Sequence, residues 1–142
     1  MKKTKLRWVG SFIVVLFIVV AIGAIILYNH FFPMAESIQY PSIETISAIE
    51  ITNNNLEKKY TDNETIETIS QYFLNAKATR TLSISDNPTK EEYYIVNIIA
   101  EDDSRLYKSY IYKENSKWYI EQPYWGVYRI DKDMLPFLEN DN

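Results

Sequence analysis

The chain of 142 residues has no cysteine, so a disulfide framework and a cysteine-linked lipid anchor are both excluded. It has a single histidine, His30, at the edge of an apolar run. Zinc sites and a Ser or Cys nucleophile activated by histidine therefore lack their residues. Glycine is represented three times and proline five times, too seldom for a disordered stalk. Positive charge is missing over a long interval: after Lys2, Lys3, Lys5 and Arg7 no Lys or Arg occurs until Lys58.

That interval opens with Val9 to Tyr28, twenty residues without a charged side chain. At about 1.5 Å per helical residue they span roughly 30 Å, the thickness of a bilayer's hydrocarbon core. The basic residues on the N-terminal side predict, by the positive-inside rule, a cytoplasmic N-terminus and an extracytoplasmic remainder. A cleavable signal has an apolar core of roughly 7 to 15 residues followed by small residues. Here the run continues through Ile25, Ile26 and Leu27, and Met34-Ala35-Glu36 lies beyond Pro33, so the reading is a retained anchor. Trp8 and Tyr28 stand at its ends, where amphipathic aromatics favour the headgroup level. Gly10, Ser11 and Gly23 lack GxxxG spacing.

Beyond the span there is room for one ordinary domain. It holds all nineteen acidic residues and eleven of the fifteen basic ones, a net charge of −8. That charge argues against phosphate-backbone binding and against lying flat on anionic lipid. The expected division is a basic N-terminus over 1–8, an anchor over 9–30, a juxtamembrane linker over 31–45 and a folded domain over 46–142. The linker reading rests on two prolines and no sustained period.

Ile46 to Thr52 and Leu56 to Tyr60 read as strands around the Asn53-Asn54-Asn55 turn. Thr61 or Asp62 then caps a helix over Asn63 to Ala76, with Glu64 placed for a capping box and Ile66, Ile69, Phe73 and Ala76 on one face. The sequon Asn63-Glu64-Thr65 falls in this capping turn and carries little weight. Lys77 to Lys90 has no period and ends in a turn signal. Glu92 to Ala100, Arg105 to Tyr112 and Lys117 to Glu121 read as three meander strands joined at Glu101–Ser104 and Lys113–Ser116. Val127 to Ile130 adds an edge strand beyond Pro123 and Gly126, and Asp131 caps a short helix with Met134, Leu135, Phe137 and Leu138. The fold expected is α+β: an antiparallel meander of three to five strands covered by one main helix, preceded by a single transmembrane helix.

The run Tyr119-Ile120-Glu121-Gln122-Pro123-Tyr124-Trp125-Gly126-Val127-Tyr128-Arg129-Ile130-Asp131 resembles the recurring end of a family of small extracytoplasmic domains of unknown function from Gram-positive bacteria. Val127 stands where that family usually has Ile. The segment Ala76 to Pro88, with Thr79, Ser83 and Asp86, is similar to its pattern after the helix. The resemblance covers roughly Ile46 to the C-terminus. Many members look lipid-anchored through a Cys, which this chain replaces by a helix. What the resemblance implies is a fold boundary and an outside location, with no activity attached.

Those two segments are also the candidate binding residues: Arg80, Ser83 and Asp86 from the irregular loop, and Glu121, Gln122, Tyr124, Trp125 and Tyr128 from the C-terminal run. If they meet, they form a groove for a peptide or glycan, or a rigid internal bracket. Exposure of Trp125 beside Tyr124 favours recognition and burial favours the bracket. Tyr107, Tyr110, Tyr112 and Tyr119 read as cross-strand pairs. Glu101, Asp102 and Asp103 lack the ligand spacing of a calcium loop. No cofactor, metal or nucleic acid is expected. The function expected is a non-catalytic binding or accessory module, with the bilayer contacted through Val9–Tyr28 and an envelope protein or wall component as partner. Two alternatives differ in class: a membrane-bound immunity or inhibitor protein, and a wall hydrolase pairing Glu121 with Asp86 or Asp131.

Overall fold

The computed structural model describes residues 2–101, 107–131 and 135–138, with side chains described from Ser11 onward except at Leu135. It divides into two compact units, Met1–Met34 and Ala35–Asn142. In the first, helix α1 (Lys2–Phe31) contains 21 residues, Ser11–Phe31, long and apolar enough to cross a membrane. Its large apolar side chains are exposed from Phe12 to Phe31, as a lipid-facing helix requires.

The second unit is α+β. A seven-stranded, wholly antiparallel sheet has the order β2-β1-β4-β5-β6-β7-β3, built from β1 (Ile46–Thr52), β2 (Glu57–Tyr60), β3 (Lys77–Ala78), β4 (Tyr94–Ala100), β5 (Tyr107–Glu114), β6 (Lys117–Gln122) and β7 (Gly126–Ile130). Helix α2 (Asn63–Leu74) starts at Asp62, whose carboxylate accepts the Thr65 N–H at 2.8 Å, so Asp62 and not Thr61 is the cap. Its Ile66, Ile69 and Phe73 are buried. The β5–β6 hairpin turns on Asn115 and Ser116, both at positive φ as a two-residue primed turn needs.

The strand count exceeds the three to five expected because β3 lies inside the stretch taken as irregular. Lys77 and Ala78 pair with Arg129 and Tyr128. β7 is consequently an interior strand and not the edge. A two-residue strand has no period to read, which is why its pairing was invisible. The short helix α3 (Leu135–Leu138) is present, whereas Met134, Asp102–Ser104 of the expected loop and Arg105 of the expected strand lie outside the described residues.

Register sorts the side chains into two faces. Ile49 pairs with Ile98, Ile51 with Val96, Ile111 with Ile120 and Trp118 with Ile130, and all eight belong to the apolar core shared with α2. Because side chains alternate along a strand, Tyr110, Tyr112, Tyr119, Glu121 and Val127 fall on the other face. Tyr112 stacks on Tyr119 at 5.8 Å, as cross-strand tyrosines are expected to do. Residues 79–90 lie over this second face.

Residues 35–45, expected as a linker, are packed on the domain. Ala35, Ile38 and Tyr40 join the core, Tyr40 lies 5.2 Å from the Phe73 ring, and its hydroxyl donates to Ser70 Oγ at 2.7 Å. Residues 43–45 form a 3-10 turn leading into β1. The folded unit thus begins at Ala35.

Candidate functional site

The strand β6 and the turn after it decide where the C-terminal candidates go. Glu121 and Gln122 are consecutive, so they point to opposite faces. Gln122 is buried on the helix side, where its Nε2 donates to Gln39 O at 2.7 Å and to Ser109 Oγ at 3.2 Å, and its Oε1 accepts the Gln39 N–H at 2.8 Å. The side-chain amide therefore pairs with one backbone residue much as a neighbouring strand would. Tyr128, on the same side, donates from its hydroxyl to Glu36 O at 2.8 Å. Burial, with the Glu36 charge second, raises its phenol above the usual range. Thr79 O accepts the Ala35 N–H at 2.8 Å. Gly126 has φ +153, and a Cβ there would overlap the Ala35 methyl and stand 3.5 Å from Ala35 Cα. Gln122, Gly126 and Tyr128 thus form a clamp on the domain's own entering segment, an extended strap over Ala35–Tyr40.

The other candidates lie with the loop. Glu121 is buried, and the Ser83 hydroxyl, also buried, donates to its Oε1 at 2.8 Å. The Tyr112 phenol is its second neighbour. Desolvation, and then the charge and hydrogen bond of Glu121, push Tyr112 well above the ordinary tyrosine range. Tyr110 sits between Asp86 O at 2.7 Å and Asn87 Oδ1 at 2.6 Å, which fixes the loop on the sheet. Val127 also holds it, since its carbonyl accepts from the Thr79 N–H at 3.0 Å and its N–H donates to Thr81 O at 3.2 Å. Thr79 and Thr81, on either side of Arg80, therefore both bond to Val127, and the chain bulges between them where the pairing begun by β3 ends. Arg80 is half-buried in this bulge.

The turn that follows Pro123 carries the exposed pair. Tyr124 has φ +65 and is 65% exposed, and its hydroxyl donates to the exposed Asp86 carboxylate at 3.0 Å. Trp125 is 44% exposed, with its N–H donated to Gln122 O at 3.1 Å. Leu82 and Ile84, on the adjoining loop, are 61% and 81% exposed. Among the described residues from Ala35 onward, five large apolar or aromatic side chains are exposed, and four are these; Leu74 is the fifth. Behind Leu82 and Ile84 is a groove of about 320 Å³ lined also by Tyr112, Tyr119, Glu121 and Lys90. Lys90 is paired with Glu114 at 2.5 Å.

The two segments meet, but in two places with different roles. Gln122 and Tyr128 belong to the strap clamp; Ser83 and Glu121 form a buried bracket; Asp86, Tyr124 and Trp125 reach the surface. Leu82 and Ile84 were not singled out from the sequence. Their signal was present as two apolar residues at i and i+2 in a polar loop.

An apolar spanning-length helix joined to a small α+β domain, with an aromatic turn braced by a loop, defines the class of protein. The model of DUF5301, a domain of unknown function, matches residues 34–129, and the chain belongs to that family. The match opens one residue before Ala35, where the folded unit starts. An NMR structure of a protein from Ruminococcus gnavus is similar at 35% identity and a TM-score of 0.58, over 68% of this chain and 93% of that one. No curated protein matches the chain.

Proposed function

We propose that the chain is a single-pass protein of the cell envelope of a Gram-positive bacterium, anchored through α1 with its N-terminus in the cytoplasm. Its outer domain is a non-catalytic binding module, and its contact surface is the patch of Leu82, Ile84, Tyr124 and Trp125. The observation that carries this is the clustering of exposed apolar and aromatic side chains on two segments that Asp86, Thr81 and Ser83 hold together. Large exposed apolar clusters on small soluble domains mark contact sites, and Tyr and Trp dominate such sites.

The non-catalytic reading is supported by what surrounds the carboxylates. Glu121 is engaged by Ser83 and Tyr112. Asp131 is paired with Lys77 and Arg129 beyond the far end of β7, because Glu121 pairs with Val127 and Asp131 lies four residues further on. At about 3.3 Å per strand residue that separation is roughly 13 Å, outside the range of a glycosidase pair. Asp86 is taken up by Tyr124. The net charge of −8 supports a partner other than nucleic acid.

The test is photocrosslinking on intact cells with benzoylphenylalanine at Trp125 and, as control, at exposed Lys117. A discrete adduct at 125, to lipid or to protein, that is absent at 117 is the expected result. Equal labelling at both positions by a folded, surface-displayed chain would remove the patch as a contact site.

A further inference from the structure

Resting on that reading, we infer that the occupant of the patch is the lipid interface of the membrane that holds α1: Leu82, Ile84, Tyr124 and Trp125 are a footing in the outer headgroup layer. Helix α1 ends at Phe31 and the strap is seated from Ala35, so only Phe32, Pro33 and Met34 lie between. Four residue steps span at most about 14 Å. Ala35 packs on Gly126, and the two residues before Gly126 are Tyr124 and Trp125. The exposed aromatic turn therefore cannot leave the vicinity of the point where the chain emerges from the apolar helix.

The chemistry suits that place. Headgroup layers are wet at one side and apolar at the other, and Tyr and Trp concentrate there because their rings are amphipathic. Leu82 and Ile84 supply the apolar surface that inserts. The clamp of Gln122, Tyr128 and Gly126 holds the entering chain, Ala35 to Gln39, close to the aromatic turn within the domain. The mode differs from attraction of a basic patch to anionic lipid, which the acidic domain disfavours. Docking here is apolar, so anionic lipid is expected to weaken it.

The cysteine-free sequence makes the test direct. Full-length chain with single cysteines at Leu82, Ile84, Val20 or Lys117 is labelled with bimane and placed in phosphatidylcholine nanodiscs, with or without brominated acyl chains. Brominated lipid should extinguish emission at 20, reduce it at 82 and 84, and leave 117 unchanged. Substituting phosphatidylglycerol for part of the phosphatidylcholine should reduce the quenching at 82 and 84; an increase would overturn the apolar mode. Quenching at 20 with none at 82 or 84 would overturn the footing while leaving the anchor in place. A protein adduct at 125 in cells, with 82 and 84 unquenched in nanodiscs, would replace lipid by a protein partner. No quenching at 20 would overturn the anchor itself.

Discussion

Substituting Gly126 by alanine tests the seating of the strap at its tightest point. Two costs combine. The backbone at φ +153 lies in a region kept almost wholly to glycine, which costs about 1–3 kcal/mol for another residue. The new methyl would overlap the Ala35 methyl, and overpacking of that kind costs about 1–3 kcal/mol more. Gly126→Ala should therefore destabilise the domain by about 2–6 kcal/mol. The two terms separate in a double-mutant cycle, because Ala35→Gly removes the overlapping methyl and leaves the backbone strain. In a chain starting at residue 34, urea unfolding followed by near-ultraviolet circular dichroism gives the four stabilities. The coupling between positions 35 and 126 should be at least about 1 kcal/mol, the Gly126→Ala cost being smaller in the Ala35→Gly background. A coupling near zero would refute the reasoning, since Ala35 would then not be seated on Gly126 in solution.

Removing the amide of Gln122 should be costly in a different way: Gln122→Ala leaves Gln39 N–H, Gln39 O and Ser109 Oγ without this partner, and a buried unsatisfied group costs about 1–3 kcal/mol. The check is amide hydrogen exchange, in which Gln39 should lose protection in the variant while Ile111 and Ile120 keep theirs. Burial raises Tyr40 from 10.0 to about 12, and its bond to Ser70 lowers it by less. A raised folded pKa means stability fully present below pH 10.0 and lost as pH climbs through about 12, so the urea midpoint should fall across that window and fall less in Tyr40→Phe. Asp131 is held below the usual carboxylate range chiefly by Lys77, so its share is present above about pH 4 and lost on acidification. Being solvent-exposed, it should contribute little, and Asp131→Asn should leave the acid midpoint nearly unchanged in high salt.

How much of this was written in the sequence depends on whether a residue's neighbour is near in the chain. The helix α2 and the strands β1, β4, β5 and β6 were legible because burial on one face leaves a period of 3.6 or 2. The length of the apolar run sufficed for α1. The strap and β3 were not legible, because their partners are 50 to 92 residues away: Lys77 meets Arg129, Gln39 meets Gln122 and Glu36 meets Tyr128. Neither has a period long enough to read. For the candidate site the same limit acted in reverse. A run of motif residues looks like one surface when written as a string, and Glu121 and Gln122 were grouped on that basis. A strand sends neighbours to opposite faces, so a motif of consecutive polar residues on β6 must serve two structures at once. One half, Gln122 with Gly126 and Tyr128, ties down the entering chain, and the other half, Glu121, ties down the loop through Ser83. The turn between β6 and β7 is then braced from both sides, and it is this double bracing that lets Tyr124 and Trp125 stay exposed in a fixed orientation instead of collapsing onto the sheet.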